Sequence, residues 1–422
     1  MSNPEFFGPG GPFAGGPFSD LMRDLARLFA TQGPVNWEIA GQMATWAATG
    51  GEPQQNVDPV ARVRLEELIR VAELHVAEAT GLAVSSSGVL RVRAVNQPEW
   101  ALRTLDAWKP RLEALAERMN SAMTPGLSPP GVPEAGAEAA DGPGDPMSQD
   151  PMSQDPMSQD PMSQLFSNLP QVLGPFLFGL QAGSMVGQLA ARAMGQYDLP
   201  IPRPPSDELL MVPEAIDSFA SDWSLNADDA RLWICVRETV NHAVLGRPHV
   251  RARLDELIDA YVAAFDPNPS MLEEKLGGVD PTDLSSMQEL LGDPETLLGE
   301  MENDEQRRIK TQIRSLLSVV TGYVDHEMDS VGRRLIGSYG PLTEALRRRR
   351  LEESSGTRIL AKLFGVSLDE AAYEQGREFV RGVVERAGEE GLARLWASAK
   401  ELPTTAEVGA PGLWLARIDL PD

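Results

Sequence analysis

The chain has 422 residues, 42% of them hydrophobic, with 62 acidic against 37 basic side chains and a net charge of −25. That length can bury a sizeable core, and so strong a negative charge repels phosphate backbones and anionic lipid surfaces, which argues against nucleic acid and membrane as partners. A single cysteine, Cys235, excludes a disulfide framework and a Cys-rich zinc site, and a reducing, cytoplasmic location is expected.

The first twenty residues show neither a basic start nor an apolar run, so no signal peptide is expected. Residues 1–18, rich in Gly and Pro, are expected to be disordered. An N-terminal helical region follows over 19–123. It opens with a short amphipathic helix over 19–31 and a second over Trp37–Thr49. Asp58–Thr80 reads as a strong helix, with Val60, Val63, Leu65, Leu68, Ile69, Val71, Ala72 and Val76 at helical spacing. Its His75 is expected to be an edge residue rather than a ligand. Val89–Val95 alternates like a half-buried strand, and Pro98–Met123 is helical again.

Residues 124–164 read as a linker, ending in four D-P-M-S-Q units from Asp145 to Gln164. A proline every five residues suits neither helix nor strand. A helical core is expected over 165–422. It begins with the charge-free stretch Leu165–Ala191, where Gly179, Gly183 and Gly187, spaced by four, clear one helix face for close packing. Its prolines and amides argue for a buried helix in a soluble fold rather than a membrane span. Leu209–Val212 reads as a short strand.

The stretch from Ala230 to Leu257 organises the rest. Asn226 or Asp228 can cap a helix there, and Asp228 and Asp229 suit its first turn. Leu232–Val236 is apolar on every side, which predicts a helix through the core. Arg237, Glu238, Asn241 and His242 then appear within two turns, before Gly246 and Pro248 end the helix. His249 reads as a surface residue. Leu254–Phe265 forms the next helix. Asp266–Glu305 is an acidic, turn-rich excursion or a lid over a cleft. Arg307–Val331 is a long helix bearing Asp325, His326 and Glu327 near its end. The arginine run 347–350 reads as an exposed helix end, and Thr357–Ala387 gives two more helices.

Together these segments resemble the zincin-like metallopeptidase family. The resemblance is carried by the order of P-E-W-A-L at Pro98, G-L-Q-A-G running into G-Q-Y-D-L-P, W-I-C-V-R-E-T-V-N-H, G-Y-V-D-H-E-M-D, Y-E-Q-G-R-E-F-V and the closing L-W-A-S-A-K-E-L-P-T-T-A-E. It covers most of residues 35–416. It implies a mainly α, multi-helix zincin-like fold with a few short strands, and a zinc hydrolase site. In zinc-binding members H-E-x-x-H places two imidazoles at i and i+4 on one helix face, with the Glu as general base. That register falls here on Arg237, Glu238, Thr239, Val240 and Asn241, and the family's further acidic residue falls near Asp325. Glu238 and Asp325 fit the pattern. Arg237 and Asn241 do not, because Asn is a poor zinc ligand and Arg holds a fixed positive charge.

Two readings compete. In the first, the chain keeps the metallopeptidase fold without zinc or any other cofactor, and its cleft, with Arg237 and Asn241, binds a protein or peptide. Arg237 is then expected to sit where a metal would, paired with Glu238 and Asp325. In the second, the chain is an active metal-dependent hydrolase with Glu238 as base and zinc on shifted ligands, His242, Asp325 and His326. No phosphate-cradling Gly loop follows a strand, and no G-x-S-x-G is present.

Overall fold

The computed structural model describes residues 33–123, 161–265, 302–351 and 355–420. The expected disorder over 1–18, the helix over 19–31, the linker as far as residue 160 and the acidic stretch 266–301 lie outside those residues.

In chain order the elements are α1 (Trp37–Thr49), α2 (Pro59–Thr80), β1 (Arg91–Ala94), α3 (Gln97–Met123), α4 (Pro161–Ala190), β2 (Glu208–Met211), α5 (Pro213–Asp222), α6 (Ala227–Leu245), α7 (Pro248–Ala263), α8 (Asp304–Leu335), α9 (Tyr339–Leu351), α10 (Ser355–Leu363), α11 (Glu370–Ala393), α12 (Thr405–Val408) and α13 (Pro411–Ile418). The fold is mainly helical, as expected, with one two-stranded parallel sheet among the described residues, in which Arg91 pairs with Glu208 and Ala94 with Met211.

The helix starts follow local chemistry. Asn36, Asp58 and Asn226 each accept a backbone N–H of the first turn through the side chain. Asn303 and Gln306 form a reciprocal capping box on α8. Two starts differ from expectation by four residues or more. Helix α4 begins at Pro161, inside the last D-P-M-S-Q unit, and α7 begins at Pro248 rather than near Leu254. In both, a proline stands at the first helical position, where its fixed φ suits the helix and its missing N–H is not needed. Proline therefore opens these helices rather than breaking them.

The tightest seam joins α1 and α4. A Cβ added at Gly179, Gly183 or Gly187 would lie 2.4, 2.2 or 2.5 Å from the carbonyl oxygens of Asn36, Ala40 and Ala44. Both helices thus present a small-residue stripe at a spacing of four, and their backbones touch. A second seam joins α8 and α11, where a Cβ on Gly376 would fall 1.9 Å from the Ser318 carbonyl oxygen. No helix among the described residues is long and apolar enough to cross a membrane.

The apolar face of α2 is narrower than expected. Leu65, Leu68, Ile69, Ala72 and Val76 are buried, whereas Val60, Val63 and Val71 face solvent. Helix α6 does run through the core: Trp233 to Val236 and Glu238 to Leu245 are buried, and it packs against α2, α5, α7, α8 and α9. The polar residues of its second half therefore stand inside the molecule.

Candidate functional site

Glu238 is fully buried. The loop that follows α4 supplies its partner groups. Tyr197 N–H donates to Glu238 Oε2 at 2.8 Å, and Gly195 lies so close that a Cβ there would meet the carboxyl carbon at 2.4 Å. The loop is pinned from three sides. Asp198 Oδ2 accepts the N–H groups of Met194 and Gly195 at 2.6 and 3.1 Å. Trp100 Nε1 donates to the Gly195 carbonyl at 3.0 Å. Val212 N–H, just past β2, donates to the Met194 carbonyl at 3.0 Å. G-Q-Y-D-L-P is thus a cradle for the buried carboxylate, with glycine needed where Glu238 arrives.

The other oxygen of Glu238 accepts from Arg237 Nη1 at 3.0 Å. The same nitrogen lies 3.6 Å from Asp198 Oδ1. Arg237 is therefore paired with Glu238 as expected, but Asp198 takes the place foreseen for Asp325. Asp325 binds Arg350 with both oxygens, at 2.8 and 3.1 Å. Burial pushes the Glu238 carboxyl up to about 7, against the pull of Arg237 and with the help of Asp198.

Asn241 donates its side-chain N–H to the Arg237 carbonyl one turn back, at 2.9 Å. His242 is buried and meets the Tyr197 hydroxyl through Nδ1 at 2.9 Å; burial lowers it to about 4. His326 lies elsewhere on α8, its Nε2 3.1 and 3.2 Å from the two oxygens of Glu389. His242, Asp325 and His326 thus turn to three different partners and do not form one ligand set. The group that could hold a metal among the described residues is His326, Glu327 and Glu389, whose ligand atoms lie within 4.8 Å of one another. His249 is half-buried rather than a free surface residue, with Nε2 enclosed and without a hydrogen-bond partner among the described residues.

A cavity of about 150 Å³ opens beside Arg237 and Asn241. Arg192, Arg349 and Arg350 line it, together with Asp198, Tyr197 and Trp233. The arginine run is thus not simply an exposed helix end: Arg347 and Arg348 face solvent, while Arg349 and Arg350 are partly buried against the site. Sequence reasoning missed Asp198, Tyr197, Arg192 and the inward half of that run. The only signal was that G-Q-Y-D-L-P recurs in the family pattern.

Zinc does not suit the Arg237–Asn241 register. Zinc there would want two imidazoles. Here the first position carries a guanidinium already spread over two carboxylates, and the second an amide committed to the backbone.

The two shifted groups on α6 act in opposite directions on stability. Glu238 is raised in the folded state, so its favourable contribution is complete below about 4.5 and is lost as pH rises through about 7. His242 is lowered, so its contribution is complete above about 6.5 and is lost as pH falls through about 4. The slopes oppose each other between those limits. We predict that Glu238→Gln gains on the parent as pH rises across that window. His242→Gln gains on the parent as pH falls across it. Urea midpoints of parent and variant, measured pH by pH, check this; differences independent of pH would show that neither group carries the shift.

The structure is similar to the crystal structure of a proposed hydrolase with a novel fold from Chloroflexus aurantiacus. The two share 22% identity with a TM-score of 0.60, over 92% of this chain and 100% of that one. At that identity the likeness establishes the fold alone. No curated protein matches the chain significantly. The profile of the zincin-like metallopeptidases matches residues 35–415, nearly the whole length, and the chain belongs to that family.

Proposed function

We propose that this chain is a zincin-like metallopeptidase relative that has given up zinc and serves as a non-catalytic binding protein, its cleft taking a protein or peptide in the cytoplasm. The observation that carries this reading is the 3.0 Å contact from Arg237 Nη1 to Glu238 Oε1. An internal cation stands on the carboxylate that would serve as general base. Glu238 has one oxygen on that guanidinium and the other on the Tyr197 N–H, which leaves it poorly placed to take a proton from water. Removing the guanidinium would strand a buried carboxylate, a change that costs several kcal/mol in typical cases; the arginine is therefore part of the fold as well as of the site.

The alternative is an active metal-dependent hydrolase with shifted ligands. The His326, Glu327 and Glu389 group supports it, although that group is not on the face of α6 that carries Glu238. Metal analysis of the purified chain separates the readings. The expected result is substoichiometric zinc and a melting temperature unchanged by added zinc, since a ligand that binds only the folded state must stabilise it. Stoichiometric zinc that disappears in Glu238→Ala or His242→Ala would overturn the non-catalytic reading. Zinc that disappears in Glu389→Gln would put the metal on the other group and overturn the absence of a cofactor.

A further inference from the structure

The cavity beside Arg237 collects positive charge in a chain whose net charge is −25. Four arginines line it, Arg192, Arg237, Arg349 and Arg350, against one lining carboxylate, Asp198. Two of the four are matched: Arg350 by Asp325, and Arg237 by Glu238 and Asp198. Arg349 and Arg192 have no carboxylate within ion-pair distance among the described residues. Arg349 is held by the Arg192 carbonyl oxygen and stacks over the Phe219 ring at 5.3 Å, contacts that fix its position without neutralising it. Burial lowers its affinity for a proton; Asp198 and Asp222 act against this, while Arg192 and Arg237 lower it further.

The cavity therefore holds positive charge, on Arg192 and Arg349, that no lining carboxylate pairs with among the described residues. The rest of its wall mixes apolar side chains, Leu189, Leu317, Val320 and Leu346 among them, with polar ones such as Asn241 and Thr321.

We propose that this cavity binds a carboxylate carried on a compact, largely apolar body, with Arg192 and Arg349 as the anion-binding side chains. The proposal rests on the non-catalytic reading above and gives that cleft its ligand class. Unmatched arginines in a partly desolvated wall favour a planar oxyanion, which a guanidinium can meet with two parallel hydrogen bonds. A cavity of about 150 Å³ has the volume that holds a benzene-sized group. The C-terminal residue of a peptide and a small aromatic or branched organic acid share this chemistry.

Titration calorimetry on the full chain, at fixed ionic strength in chloride with EDTA present, tests it. The probes are phenylacetate, its neutral analogue phenylacetamide, and acetyl-Gly-Phe as free acid and as amide. The expected result is saturable binding of the acids, at least tenfold weaker for the amides. Binding should fall about tenfold in Arg192→Gln and in Arg349→Gln and stay unchanged in Arg348→Gln, which alters an exposed arginine of the same run. The Arg192 side chain makes no hydrogen bond or ion pair among the described residues, and its backbone oxygen, which holds Arg349, is kept in the variant, so Arg192→Gln reads the site even if Arg349→Gln is unstable. A tighter free acid assigns the site to small acids, and a tighter peptide acid to chain ends; either supports the carboxylate pocket. Equal binding of acid and amide, no binding, or equal losses in Arg348→Gln would overturn it. If the acids bind only without EDTA, a metal rather than the arginines holds them, and both this inference and the non-catalytic reading fall. Failure of the acids to bind either with or without EDTA would remove the ligand class alone.

Discussion

Gly183→Leu should unfold the α1–α4 seam and take much of the molecule's stability with it. A Cβ at this position would lie 2.2 Å from the Ala40 carbonyl oxygen and 2.9 Å from the Ala40 Cα. Both are backbone atoms, so no side chain can swing aside. The helices would have to separate, and the contacts at Gly179 and Gly187 would open with them because all three glycines lie on one stripe. Overpacking of a tight interior costs on the order of 1–3 kcal/mol, occasionally more, and a backbone clash puts this variant at or above the top of that range. Gly183→Ala should show a smaller loss of the same kind in urea unfolding, which keeps the result readable if the leucine variant does not fold. Gly340→Ala is the control: nothing lies within 4 Å of the added carbon, and its midpoint should match the parent's. If Gly183→Leu melts like the parent, α4 does not pack on α1 through this stripe.

Much of the seam was legible in the sequence, because a glycine every four residues in a charge-free helix has one physical use: to bring another backbone close. The bounds of α1 matched for a similar reason, with Asn36 able to cap and Gly50 able to take the left-handed turn that ends it. The inward face of α2 was harder. Apolar residues occur on more than one side of it, and periodicity alone does not say that Val60, Val63 and Val71 belong to the solvent side.

The site was half legible. Arg237, Glu238, Asn241 and His242 share two turns of one core helix, so their proximity follows from local geometry. Asp198 and Tyr197 reach Glu238 and Arg237 from a loop about forty residues earlier, and no local pattern reports such a contact. Arg350 shows the same limit. A run of four arginines normally signals solvent, yet Asp325 on another helix draws one of them inward. Glu389, the partner of His326, likewise comes from a different helix. Tertiary ion pairs leave no periodic trace in either partner's own segment.

The double change Arg237→His with Asn241→His should create a zinc site where the parent has an internal ion pair. The two positions are one turn apart on α6, and both side chains line the same cavity, so their imidazoles can converge on one ion at the i, i+4 spacing. Removing the guanidinium also removes the fixed charge that repels a cation and frees one oxygen of Glu238. Asp198 Oδ1, which lies 3.6 Å from Arg237 Nη1 in the parent, is better placed for a third ligand than Asp325, which both nitrogens of the Arg350 fork occupy. Without metal the variant should be less stable than the parent, because Glu238 loses its cation while still fully buried, a loss of about 3–5 kcal/mol in comparable cases. Added zinc should restore stability in a concentration-dependent way, by about 2.7 kcal/mol at a hundredfold excess over the dissociation constant, while leaving the parent unmoved. Adding Asp198→Asn should then weaken zinc binding, and adding Asp325→Asn should not. A folded double variant that binds no zinc would show that α6 does not carry the remnant of a zincin helix. Zinc binding that survives Asp198→Asn but not Asp325→Asn would show that Arg350 releases Asp325 to the metal, and that the ligand set follows the family pattern rather than the parent's ion pairs.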